Sequence, residues 1–229
     1  ISAFYGGSFG AGLSTKSGYN FRNSNDFMIA SPRLSGWRAE AHHSFGEDSA
    51  NSKNGTTNQL AIDYRGGKSY FLAGYVEARP LVSSPNVYKG VVNRQYALGG
   101  SYDIDKFRIY LGYFKNKQSD NLIDKDLYSI SAAWFVTPKD QLSIGYTYIK
   151  ANADAANTDK TFTGNGHSNH FGLLYMHMLS KRTTLYFSGA HITNSSGMRY
   201  AMAAAQAPQA SLLNRPAAGD STTGVQFGI

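Results

Sequence analysis

The feature that most constrains this chain is a series of tight turns that recurs about every 35 residues. Longer stretches rich in Asn, Ser, Gly, Asp and Lys separate these turns. Short connections that alternate with long ones are typical of an up-and-down meander of antiparallel strands. The predicted turns are Ser31-Pro32, Gly66-Gly67, Asp103-Ile104-Asp105, Thr137-Pro138 and Ser180-Lys181. The predicted long connections are 46–57, 80–94, 116–126, 150–168 and 194–221.

Each predicted turn joins two runs of roughly ten residues in which large apolar side chains alternate with small or polar ones. In the first clear run, Leu60, Ile62 and Tyr64 share one face, whereas Asp63 and Arg65 lie on the other. A strand of a membrane barrel turns its apolar face to lipid and its polar face to the lumen. The small residues on the second face of later runs favour an open centre. Those runs are 128–134 and 142–148.

Composition removes several other classes of protein. The chain contains no Cys, which excludes disulfide scaffolds, thiolate metal sites and cysteine nucleophiles. A mean hydropathy of -0.37, without an apolar run of 18 residues, argues against a transmembrane helix. The 24 Gly, 16 Tyr and 13 Phe residues fit aromatic girdles and curved strands. A soluble β-sandwich shares that enrichment and stays open as an alternative, although a soluble barrel would carry its apolar residues inside.

The number of strands indicates an incomplete barrel. Five hairpins and a last run at 223–229 give about eleven strands between residues 26 and 229. A closed antiparallel barrel of bacterial type needs an even number, and lipid cannot satisfy unpaired edges. Ile1 opens without a basic or apolar leader region, so a leader has been removed or the start is missing. We therefore expect one all-β domain over 1–229 that is incomplete at both ends.

Three segments carry a family resemblance, namely 95–103 (QYALGGSYD), 179–186 (LSKRTTLY) and 223–229 (TGVQFGI). They resemble the general diffusion porins of Gram-negative bacteria, especially those of beta-proteobacteria. The resemblance implies a transmembrane antiparallel up-and-down β-barrel of sixteen strands in the bacterial outer membrane, of which this chain supplies about the last eleven. It further implies a homotrimer in contact with outer-membrane lipid and lipopolysaccharide. Members of the family usually continue beyond the position of Ile229 with a basic stretch and a terminal aromatic residue.

The resemblance implies passive diffusion of small hydrophilic solutes and ions, with neither a catalytic residue nor a cofactor. Residues 1–25 stand where such porins carry the loop that folds inward and narrows the pore. Glycines in this stretch permit the sharp backbone course of such a loop. Lys16 and Arg22 are the constriction-loop candidates. An ordinary surface loop is the alternative for this segment.

Charged residues on the polar faces are the candidates for the pore lining. Arginine side chains in a narrow passage raise the local anion concentration, and a formal charge of +7 indicates a mild anion preference. Interleaved carboxylates temper that field, and Met28 takes a lumen position where many porins of this family carry arginine. The alternative role for each residue is an ordinary ion pair in a wide vestibule. The candidates are Arg38, Glu40, His42, Asp63, Arg65, Glu77, Arg79 and Arg108.

Other functions find little support in the sequence. His167 and His170 have the spacing of a metal-ligand pair, but no nearby carboxylate pair completes a site, so no metal is expected. The Gly-x-Ser-x-Gly elbow of hydrolases does not occur, and basic residues form no stripe with stacking aromatics, so no nucleic-acid partner is expected. An outer-membrane adhesin or receptor that acts through its exposed loops remains the alternative function, with the stretch 201–208 as a segment that covers the mouth or contacts a partner.

Overall fold

The computed structural model describes residues 25–46, 52–79, 90–121, 124–152, 165–200 and 216–229. This part of the chain is all β, as predicted, and none of its residues forms a helix that could span a membrane. The strands are β1 (Asp26–Ala30), β2 (Trp37–Ser44), β3 (Thr57–Gly66), β4 (Ser69–Ala78), β5 (Asn93–Ile104), β6 (Phe107–Gln118), β7 (Asp124–Thr137), β8 (Asp140–Ala151), β9 (Gly166–Ser180), β10 (Thr183–Asn194) and β11 (Thr222–Gly228).

The eleven strands form one antiparallel sheet in which each strand pairs with its neighbours in the chain. The order runs from β1 to β11 without a crossover, which confirms the predicted meander. All five predicted turns join consecutive strands. Gly67 and Asp105 adopt positive φ angles of 54° and 50° in two of these turns, a conformation that glycine and aspartate tolerate in tight hairpins. The sheet is open, because no ladder joins β1 to β11.

Several strands are longer than predicted at the end of the sheet that carries the long connections. Strand β7 has 14 residues and β9 has 15. Both ends of the predicted connection 116–126 belong to strands, because β6 ends at Gln118 and β7 begins at Asp124. The same holds for 150–168, because β8 ends at Ala151 and β9 begins at Gly166. Polar residues at these strand ends read as loop in the sequence, but their backbone groups still pair across the ladder. The sheet therefore extends further than predicted at the end that carries the long connections.

The two faces of the sheet differ in side-chain size and exposure. Residues opposite each other in a ladder lie on the same face, so the register assigns Leu60, Leu98 and Leu111 to one face, called here the outer face. Large apolar side chains remain uncovered on it, and Leu111 is 60% exposed. The opposite, inner face carries smaller side chains such as Ser131 and Ser143, which are buried. The predicted alternation is confirmed.

Aromatic side chains bound the apolar band of the outer face at both ends. Near the short turns, Phe107 stacks on Trp134 with ring centroids 5.8 Å apart. Toward the long connections, the register aligns a row of tyrosines, and the rings of Tyr113 and Tyr128 lie 5.1 Å apart. Phe107 and Tyr113 are six residues apart on β6, or about 20 Å along a strand. Aromatic girdles at this separation are expected at the two surfaces of an outer membrane.

Candidate pore wall

The inner face of β1, β2 and β3 carries a cluster of charged side chains. Arg38 lies opposite Asp63, and His42 lies opposite Met28, so the ladder places all four on the same face. Glu40 lies between Arg38 and His42 on this face. The structure thus brings together the sequence candidates from β2 and β3 and places Met28 beside them, as the sequence predicts for that residue.

Arginines and carboxylates in this cluster form ion pairs. Asp63 accepts a hydrogen bond from Arg33 at 2.5 Å between Nη2 and Oδ1, and the Nε atom of Arg65 lies 3.5 Å from the same oxygen. Arg38 Nη2 lies 3.1 Å from Glu40 Oε2. Each guanidinium group remains partly exposed, and the Arg65 side chain is 66% exposed. The cluster therefore presents charge to solvent while neighbouring carboxylates hold the arginines in place.

The side chain of His42 lies between two carboxylates of the same cluster. Its Nδ1 atom lies 2.8 Å from Asp26 Oδ2, and its Nε2 atom lies 3.9 Å from Glu40 Oε1. Asp26 opposes Ser44 in the ladder and so shares the inner face. With Arg33, Arg38 and Arg65 against Asp26, Glu40 and Asp63, the formal charges of the cluster balance when His42 is neutral. We call these seven residues the charged wall.

The remaining described inner face, from β4 to β11, carries far less charge. Its charged residues are Lys125, which is buried, and the pair Asp103 and Arg108 near a short turn. Arg108 Nη2 donates a hydrogen bond to Asp103 Oδ2 at 2.7 Å. Serine, threonine, glycine and alanine are frequent among its other positions. Within the described ranges, the charge of the inner face therefore lies mainly on and beside β1, β2 and β3.

The structure corrects the prediction that Glu77 and Arg79 share a wall with Asp63 and Arg65. Glu77 lies opposite Asn58, two residues before Leu60, and so belongs to the outer face. Arg79 follows the end of β4, and its Nη2 atom lies 2.7 Å from Glu77 Oε1. The two-residue turn at 67–68 pairs odd-numbered positions of β3 with even-numbered positions of β4. The odd-numbered Glu77 therefore cannot share a face with Asp63.

Glu77 and Arg79 belong to a group of ionic side chains on the outer face beyond the tyrosine row. Arg94 Nε donates to Glu77 Oε2 at 3.1 Å, and Lys115 Nζ donates to Asp126 Oδ1 at 3.1 Å. The ladder continues the group across five strands, from β4 to β8. We call this group the ionic belt. Its members are Glu77, Arg79, Arg94, Lys115, Lys117, Asp124, Asp126 and Lys150.

The remaining sequence candidates are placed or left open as follows. Lys16 and Arg22 lie outside the described residues, as does the stretch 201–208. His167 and His170 both lie in β9, where an odd separation turns them to opposite faces. They cannot bind one metal ion together, and among the described residues no group of three or more histidine or carboxylate side chains forms a metal site.

Sequence reasoning missed an apolar cluster on the inner face near the long connections. Leu127 comes from β7, Ile149 and Ala151 from β8 and Ile192 from β10, and Met198 and Tyr200 from the connection after β10 complete the cluster. All six side chains are buried. The signal in the sequence was the presence of apolar residues at inner positions of three strands. A water-filled lumen would leave such residues exposed, so their presence indicates that another segment covers them.

An open meander with an apolar, girdled outer face and a polar inner face defines the class of transmembrane β-barrel walls. More specifically, the chain belongs to the Gram-negative porin family, whose family model matches residues 2–197. This membership places it in the bacterial outer membrane. The predicted family resemblance is confirmed.

Solved structures show the same fold. An anion-selective porin from Comamonas acidovorans matches with a TM-score of 0.68 and 21% sequence identity, over 90% of this chain and 58% of that porin. OmpT of Vibrio cholerae matches with a TM-score of 0.61 and 15% identity, over 99% of this chain and 70% of OmpT. A trimer form of OmpT matches with a TM-score of 0.59 and 15% identity, over 90% of this chain and 65% of that protein.

The chain thus spans 58% of the length of the Comamonas porin that it matches. At these identities the structural matches establish a shared fold. No curated protein matches the chain.

Proposed function

We propose that the chain forms most of the wall of a water-filled channel through which small hydrophilic solutes and ions diffuse passively. One observation carries this proposal: the sheet has an apolar outer face and an inner face of small, polar and charged side chains. Such a wall suits lipid on one side and water on the other. Passive diffusion requires neither a cofactor nor a covalent step, so a protein with this proposed function would not be an enzyme.

The proposed barrel has sixteen strands, of which the present eleven are a part, with residues 1–229 in one domain. We further propose a homotrimer, in line with the family and with the trimer form of the Vibrio cholerae protein. The segment 1–25, with Lys16 and Arg22, is proposed as the inward-folded constriction loop. Its role follows from the family resemblance alone.

The proposed ion selectivity is a mild preference for anions. The charged wall contains three arginines and three carboxylates, so the formal charge of +7 is not concentrated there. Partly exposed guanidinium groups such as that of Arg65 still offer sites for anions, whereas the neighbouring carboxylates weaken the field. The matched Comamonas porin is anion-selective. We propose Arg38, Glu40, His42, Asp63, Arg65 and Arg108 as lining residues.

Planar-bilayer recording on the full-length protein tests the channel and its assembly together. We expect stepwise ohmic openings that close in groups of three under voltage, because each trimer would hold three pores. In a salt gradient, the sign of the zero-current potential should report a mild anion preference. Correctly folded protein without current would contradict the channel and favour an adhesin or receptor. Solitary steps would contradict the trimer.

We also propose that the ionic belt contacts the phosphate groups of lipopolysaccharide. The belt lies beyond the tyrosine row at the end with the long connections, which in outer-membrane barrels faces the cell exterior. Its five basic and three acidic residues give a net charge of +2. The side chains of Arg94 and Lys117 are 45% and 50% exposed, so both can reach a phosphate.

Neutralising the exposed cations of the belt should weaken the retention of lipopolysaccharide. Basic residues near an anionic membrane surface are attracted to it, so Arg94→Gln with Lys117→Gln should lower the affinity severalfold. Salt titration of lipopolysaccharide bound to the purified full-length protein measures this change. Arg38→Gln on the inner face is the matched control and should bind as the wild type does. Equal losses in both variants would contradict the proposed contact.

A further inference from the structure

The apolar cluster on the inner face is buried by a segment of the chain that leaves the wall. Leu127, Ile149 and Ile192 project from the inner face and are 4%, 0% and 1% exposed. A side chain that faces a wide aqueous lumen would not be buried to this degree. Met198 and Tyr200, at 0% and 3% exposure, lie over these residues and cover them. The first part of the β10–β11 connection therefore folds inward.

Hydrogen bonds fix the start of this connection to the first residues of β9. The backbone N–H of Ser195 donates to the carbonyl of His167 at 2.9 Å, and the N–H of His167 donates to Ser195 Oγ at 2.8 Å. The Met198 N–H then donates to the Ser195 carbonyl at 2.8 Å, which turns the chain toward the cluster. Both the backbone and a hydroxyl group thus determine the direction of the segment.

The end of the segment is fixed by the side chain of Asn194. The Tyr200 N–H donates to Asn194 Oδ1 at 3.1 Å, and Asn194 Nδ2 donates to the Tyr200 carbonyl at 2.9 Å. The same Nδ2 group donates to the carbonyl of Asp220 at 2.7 Å. The carbonyl of Met198 accepts a hydrogen bond from Gly219 at 3.0 Å. One amide side chain therefore holds the departing and returning ends of the connection together.

Close approach of the segment requires glycine at position 166. A Cβ atom on Gly166 would lie 2.6 Å from Ser195 Oγ and 2.9 Å from Met198 Cγ, distances that force a shift. The inner-face Gly74 has more room, since a Cβ atom there would approach nothing nearer than 3.8 Å. At Gly166 the atoms in the way belong to the segment itself, so the absence of a side chain at this position lets the segment lie against the wall.

We propose that residues 195–200 form a latch that narrows the lumen at the end with the long connections and limits the size of solutes that enter. This inference rests on the proposed channel function. The cluster beneath the latch is apolar, and the charged wall lies on β1, β2 and β3 of the same inner face. The latch carries one charged side chain, Arg199, whose Nε atom donates to the carbonyl of Pro216 at 3.3 Å. The main effect of the latch is therefore on the size of the passage.

Two release variants of the full-length protein test this size limit. Gly166→Ala displaces the latch, and Met198→Ser with Tyr200→Ser removes its apolar anchors. Liposome swelling with a trisaccharide and a monosaccharide measures the size limit. Both release variants should raise the rate of trisaccharide entry relative to that of the monosaccharide severalfold. The control Gly74→Ala should match the wild type. Wild-type trisaccharide rates in conducting release variants would overturn the size limit.

A labelling experiment tests the latch without relying on solute flux. Met198 is buried, whereas Ser196 in the same segment is exposed. A maleimide should therefore react with Ser196→Cys much faster than with Met198→Cys, and Gly166→Ala should remove most of that difference. Equal rates for the two cysteines would overturn the latch. If the wild type does not conduct but Met198→Cys is protected, the channel proposal fails and the inward fold of the segment stands.

Discussion

Replacing Leu111 by arginine is expected to destabilise the folded protein in a membrane by about 2–4 kcal/mol. Leu111 lies opposite Ile130 in the centre of the outer face and is 60% exposed. It sits between the Phe107–Trp134 stack and the tyrosine row, and hence near the middle of the apolar band. An arginine there must either place its charge in hydrocarbon or bend toward a membrane surface. Urea unfolding of the full-length protein in lipid vesicles measures the loss.

An arginine on the inner face provides the matched comparison. Ser129 lies opposite Gly112 on that face, at a similar height in the sheet. Ser129→Arg should retain most of the stability, because its guanidinium group reaches the lumen. Similar free-energy losses for Leu111→Arg and Ser129→Arg would contradict the assignment of the two faces.

Neutralising Asp63 is expected to shift the channel toward anions. Asp63 is the partner of both Arg33 and Arg65, so Asp63→Asn leaves two guanidinium groups without their carboxylate and adds one positive charge to the wall. A unit charge at 4 Å contributes about 1 kcal/mol in water, which corresponds to roughly a fivefold change in the anion-to-cation permeability ratio. The zero-current potential in a salt gradient measures this ratio. Low salt is required, because ions screen the effect.

Glu77→Gln is the control for this experiment because Glu77 also pairs with two arginines. The two carboxylates differ in the face that they occupy, since Asp63 is on the inner face and Glu77 on the outer face. Glu77→Gln should leave the zero-current potential unchanged. A shift in Glu77→Gln equal to that in Asp63→Asn would show that the register assigns Glu77 to the wrong side of the wall.

Local patterns in the sequence were sufficient to predict the strands and, except for β4, the faces that the candidate residues occupy. Turn residues such as Gly67 and Asp105 mark the hairpins, and alternation within each strand separates Leu111 from Gly112 without knowledge of the partner strand. Both signals depend on neighbouring residues only. The inner positions of Arg38 and Asp63 followed for the same reason.

Features that depend on contacts between elements were not predictable. The placement of Glu77 required the register across a turn, because the number of turn residues decides which positions of β4 face the same way as those of β3. The latch required a contact between Met198 and the inner face, which no local pattern encodes. Gly166 could not be distinguished from other strand glycines until Ser195 and Met198 were placed beside it.

The sequential strand order has a consequence for how the wall can assemble. Each described ladder joins segments that are adjacent in the chain, so a docking strand closes a single connection, from two residues between β3 and β4 to 27 residues between β10 and β11. The entropic cost of closing a loop rises only slowly with its length, and each hairpin therefore adds at a comparable cost. Growth of the sheet can proceed one hairpin at a time, with every new strand using the preceding one as its template.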